Sequence, residues 1–101
     1  MARFWLSAWW KRKKLRHWNV VLYTRQGCHL CEQAWGQLER ERQRYEFALR
    51  SVDVDGNADL VRQFGECVPV VVVNERIRFR GIVNPVLLRR LLEAGSSEPA
   101  A

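Results

Sequence analysis

Two cysteines with two residues between them, Cys28 and Cys31 flanking His29 and Leu30, are the side chains in this sequence best suited to chemistry. If a helix begins at the first, both sulfurs lie on nearly one face, close enough to close a small-ring disulfide or to act in turn on a partner's sulfur. The first sulfur then sits among unpaired backbone N–H groups at the positive end of the helix dipole, which lowers a thiol pKa by roughly one to several units from about 8.5. Cys28 is therefore the expected attacking thiolate. Cys31, one turn deeper, is the expected resolving thiol that frees a reduced product from the mixed disulfide. His29, if protonated, favours the Cys28 thiolate; the alternative is a solvent-facing side chain. Arg25, just upstream, adds positive potential or is only solvated. The same spacing is half a zinc site, yet zinc wants four ligands and only His29, Cys67 and the distant His17 could add to the pair, so no metal site is expected. Cys67 reads as a small buried hydrophobe, with a third redox-active thiol as the alternative.

A reactive pair needs elements that hold it, and the residues on either side supply them. Residues 20–24 form a short apolar β-rich run, expected as a strand buried on both faces. Arg25, Gln26 and Gly27 break it, and 28–44 reads as a helix with Leu30, Ala34, Trp35 and Leu38 on one side. Residues 47–54 read as a second strand with the ragged alternation of an edge. Asp55, Gly56 and Asn57 supply a turn and a cap for a short helix to Phe64, stopped by Gly65. Residues 70–73 and 76–80, joined by Asn74 and Glu75, read as a hairpin. Asn84 and Pro85 open a last helix that ends at Gly95. The order is βαβαββα, an α/β sheet with helices on both faces.

With 101 residues the chain has room for one domain, and its 48% hydrophobic and 28% charged residues exclude disordered and collagen-like classes. No apolar run approaches the roughly 18 to 20 residues of a membrane-spanning helix. Three cysteines are too few for a secreted disulfide scaffold. The net charge of +6 has one source: residues 1–18 hold six basic residues and no acid, while the other eleven bases are balanced by eleven acids. Those eighteen residues also carry Trp5, Trp9, Trp10 and Trp18, so they read as a basic, Trp-rich arm suited to peripheral membrane contact, with a functionless extension as the alternative. A neutral body offers no groove for nucleic acid. The apolar residues of the arm precede the basic ones, the reverse of a secretory signal, so a cytoplasmic location with membrane association through 1–18 is expected. The expected domain spans 19–95, and 96–101 form a tail.

Several of these segments together resemble the glutaredoxin-like family of the thioredoxin superfamily. They are Val20-Val21-Leu22-Tyr23-Thr24, Cys28-His29-Leu30-Cys31, Val52-Asp53-Val54-Asp55 and Val68-Pro69-Val70, and the resemblance covers about residues 19–94. It implies a thioredoxin-like fold, a four-stranded mixed sheet flanked by three helices, and a small thiol-disulfide oxidoreductase with Cys28 as nucleophile and Cys31 as resolving thiol. It also implies that Pro69 is a cis-proline facing the pair and that the Val68 backbone pairs with a bound peptide or glutathione. Typical glutaredoxins carry Pro-Tyr between the cysteines, and Gly-Gly followed by an acid after the hairpin to hold glutathione. Here the corresponding residues are His29-Leu30 and Gly81-Ile82-Val83-Asn84. No tightly bound cofactor is expected; glutathione is a candidate co-substrate, and the partners are protein or small-molecule disulfides. The competing classes are an iron–sulfur or metal carrier and a non-catalytic binding module of the same fold.

Overall fold

The computed structural model describes residues 13–97. Its elements are β1 (Lys13–Thr24), α1 (His29–Glu41), β2 (Tyr45–Asp53), a 3-10 turn (Val54–Gly56), α2 (Ala58–Phe64), β3 (Val70–Val73), β4 (Arg76–Arg80) and α3 (Pro85–Ser97). The strands form one sheet in the order β2-β1-β3-β4. β1 runs parallel to β2, which requires the α1 crossover, and antiparallel to β3, which forms a hairpin with β4. Asn74 and Glu75, at φ 49° and 70°, make the two-residue turn. The architecture is the thioredoxin-like α/β fold, a four-stranded mixed sheet with three helices, and β2 lies at an edge.

Each face of the sheet has its own core. On one, Val20 and Leu22 of β1 pack with Phe47, Val71 and Val73, and with Ala34, Leu38, Leu88 and Leu92 from α1 and α3. On the other, Val54, Phe64 and Val70 are buried with Tyr23 packed against them, its ring centroid 4.9 Å from that of Phe64. Capping is as the sequence predicts. The Asn57 side chain accepts the N–H groups of Asp59 and Leu60, and Asn84 accepts those of Val86 and Leu87.

Four expected boundaries move. β1 begins at Lys13, not at Val20, so residues 13–18 belong to the sheet and are no part of an arm. Leu15 and Trp18 are core residues, while Lys14, Arg16 and His17 are exposed. This three-residue spacing lacks strand alternation because the register with β2 shifts between Lys14 and Asn19. The remaining residues of the predicted arm, 1–12, lie outside the described residues, as do 98–101 of the predicted tail. α1 ends at Glu41, short of Arg44, and β2 starts at Tyr45. The buried face of α1 is Cys31, Ala34, Leu38 and Glu41, and Leu30 points outward. Finally, α3 continues through Gly95 to Ser97. A Cβ at Gly95 would collide with the Trp18 indole, so this glycine permits a close approach and does not end the helix. No helix among the described residues is long and apolar enough to cross a membrane.

Candidate active site

β1 ends at Thr24, and the chain reverses through Arg25, Gln26 and Gly27 before α1 begins. Gly27 takes φ 73°, a conformation that a side chain would strain. Cys28 occupies the cap position of α1 in an extended conformation, and its Sγ accepts the backbone N–H of Cys31 at 3.1 Å. A sulfur takes the place usually held by a Ser, Asp or Asn oxygen, where the N–H groups and helix dipole favour negative charge. Cys28 and Cys31 are joined in a disulfide with their Cα atoms 5.2 Å apart. Cys31 is 3% exposed, whereas Cys28 is half-buried and open to approach. Cys28 is thus the outer sulfur of the pair and Cys31 the inner one. The two sulfurs border a cleft of about 290 Å³ with Thr24, Arg25, Trp35 and Ser51 on its walls.

Arg25 stands beside the pair with its guanidinium already engaged. Nη2 and Nε donate to the Asp55 carboxylate at 2.7 and 3.2 Å, and Nη1 donates to the Gly65 carbonyl at 2.9 Å. The hydrogen bond from Arg25 holds the Asp55 carboxyl below the usual carboxylate range, and Asp55 raises the Arg25 guanidinium in turn. Arg25 thus ties the turn before Cys28 to the ends of β2 and α2. Sequence reasoning read Asp55 as a turn residue and Gly65 as a helix stop, not as partners of Arg25. The signal available was the parallel pairing itself, which sets Thr24 beside Asp53 and so brings the residues after both strands together.

His29 is exposed, and its Nδ1 lies 3.7 Å from Glu32 Oε2, directed along the helix surface and not at a sulfur. On the far side, the Val68–Pro69 peptide bond is cis. Tyr23 pairs with Val70, and continuing that antiparallel register sets Pro69 beside Thr24, at the end of the sheet where the cysteines lie. Gly81 N–H donates to the carbonyls of Cys67 and Pro69 at 3.0 and 2.8 Å, while the Val68 backbone has no hydrogen-bond partner among the described residues. Cys67 is a free, half-buried thiol whose Sγ lies 3.8 Å from the Gln63 carbonyl oxygen. No group of three His, Cys, Asp or Glu side chains able to hold a metal ion is found among the described residues.

The model of the Glutaredoxin-like domain (DUF836) family matches residues 19–93. The solution structure of protein Ne2328 from Nitrosomonas europaea is 27% identical, with a TM-score of 0.66 over 74% of this chain and 91% of that one. The X-ray structure of protein XcR50 from X. campestris is 33% identical, with a TM-score of 0.63 over 74% of this chain and 96% of that one. A mutant thioredoxin from Halobacterium salinarum, 19% identical, shares the fold with a TM-score of 0.64 over 84% of this chain and 80% of its own. No curated protein matches the chain. A thioredoxin-like fold with two cysteines at disulfide distance supports a thiol redox function. By the span of the family match and the order of its elements, the chain belongs to the glutaredoxin-like domain family of the thioredoxin superfamily.

Proposed function

We propose that the protein is a thiol-disulfide oxidoreductase that works through a mixed disulfide at Cys28. The observation that carries this reading is the cap geometry: one accessible sulfur at a helix N-terminus, accepting a backbone N–H and bonded to a buried second sulfur. In the reduced protein the Cys28 thiolate attacks one sulfur of a partner disulfide, forming the Cys28–partner bond and expelling the other partner sulfur as a thiolate. Cys31 then loses its proton and attacks Cys28 Sγ, forming the intramolecular disulfide and releasing the second partner sulfur. Two electrons pass from the cysteine pair to the partner, whose thiolates take up two protons. A dithiol, or two equivalents of a monothiol such as glutathione, returns the pair to its reduced form. Sulfur carries the electrons, so the cycle needs no resident cofactor. The unpaired backbone of Val68 beside cis-Pro69 is the place for the partner's chain to add hydrogen bonds.

Stopped-flow measurement of disulfide reduction by the purified protein, with mass spectrometry of the products, tests the cycle. Cys28→Ser is expected to fall to the uncatalysed rate, and Cys31→Ser to accumulate the mixed disulfide. Turnover retained by the Cys28 variant contradicts the reading.

A further inference from the structure

Two exposed large apolar side chains line one groove beside α1, and two more follow it in sequence at the start of α3. Leu30, 43% exposed, and Ile82, 73% exposed, line a groove of about 470 Å³ together with Gly36, Gly81 and Pro85. Val86 and Leu87, 58% and 51% exposed, follow Pro85 in the first turn of α3. Leu30 lies between the two cysteines in sequence, and Glu32 lines both this groove and the cleft that holds the sulfurs. Exposed apolar side chains grouped in this way mark a contact surface more often than singly scattered ones do.

The lining of this groove offers little to an anion. Arg25 is held by Asp55 and Gly65, and the Asn84 side chain is occupied in capping α3. The charged side chains lining the groove are Glu32, in the first turn of α1, and Arg40, ten residues along the helix from Leu30 or about 15 Å away. We propose that this groove receives an extended protein segment whose cysteine is flanked by apolar side chains, so that the protein reacts with such protein disulfides in preference to oxidised glutathione. The proposal rests on the exchange cycle above: the partner's cysteine sulfur bonds to Cys28 while its apolar neighbours cover Leu30 and Ile82. The bonds formed and broken are those of that cycle.

Single-turnover oxidation of the reduced protein tests it, using three disulfides: a peptide disulfide with Leu and Val beside each cysteine, oxidised glutathione and hydroxyethyl disulfide. Each rate is divided by that of dithiothreitol with the same disulfide, which removes intrinsic reactivity. Burial of two or three apolar side chains predicts a peptide-to-glutathione ratio on the order of tenfold or more. Ile82→Asp is expected to bring that ratio below about three, and Val86→Ser to lower it by a smaller step. Both positions are exposed, so neither change disturbs the core. A wild-type ratio at or below one, or a ratio that Ile82→Asp leaves unchanged, overturns the proposal. If none of the three disulfides oxidises the pair, the exchange reading itself fails, a result distinct from loss of preference alone.

Discussion

Arg25 shows how much can hang on one side chain beside a reactive pair. Its fork to Asp55 and its bond to the Gly65 carbonyl fix the turn from which Cys28 is presented. Because Asp55 is held below its ordinary pKa, its contribution to stability is complete above about pH 4 and is lost as the pH falls through the depressed value. Arg25→Gln is therefore expected to lower stability at pH 7 and to lose less than the wild type on acidification, the two converging once the pH has fallen through the depressed value. Urea unfolding across this range measures this, and a difference that does not vary with pH rules it out. The sequence placed Arg25 near the pair but left its charge free, because the partner lies thirty residues away across a parallel register. Cys28 and Cys31 were legible, because their two-residue spacing after an apolar strand is a local signal. The outward direction of Leu30 was not legible, since an apolar residue at a helical position is normally read as core.

Among the elements, the helix starts were the most readable and the strand ends the least. Asn57 and Asn84 announce α2 and α3 because a cap is one residue with one job. Asn84→Ala removes the acceptor for two N–H groups and is expected to lower stability by about 1 kcal/mol, measured by thermal or chemical unfolding. The first half of β1 escaped notice because its buried residues fall three apart at an irregular register, and its exposed residues are basic. β2 starts at Tyr45, which is 2% exposed and donates its hydroxyl to Glu93 of α3. Burial, and next the Glu93 hydrogen bond, push Tyr45 up to about 12. The protonated phenol thus favours the folded state below pH 10, and that contribution is lost as the pH rises from about 10 to 12. Alkaline unfolding is expected to weaken the wild type by on the order of 2 kcal/mol more than Tyr45→Phe across this window. Equal slopes would remove Tyr45 from the account.

At the scale of the whole molecule, β1 is the strand on which both layers rest. It lies between β2 and β3, and its Leu15, Trp18, Val20 and Leu22 all enter the larger core. A chain beginning at Asn19, where compositional reading placed the domain boundary, loses two of these four side chains and the Lys13–Glu93 ion pair. It is expected to be several kcal/mol less stable than one beginning at Lys13, since each large buried side chain removed costs about 2 to 5 kcal/mol. Comparison of the two by circular dichroism melting checks this. A test of membrane attachment by the basic, Trp-rich segment must accordingly remove residues 1–12 alone, or unfolding will be mistaken for lost binding.

The course of β1 has a corollary for the ends of the described chain. Lys13 and the reactive sulfurs lie at opposite poles of a twelve-residue strand, some 35–40 Å apart. Because Lys13 binds Glu93 and Trp18 touches Gly95, α3 delivers the carboxyl end of the described chain to the same pole. The ends of the described chain, Lys13 and the last turn of α3, therefore both lie at the pole opposite the sulfur pair.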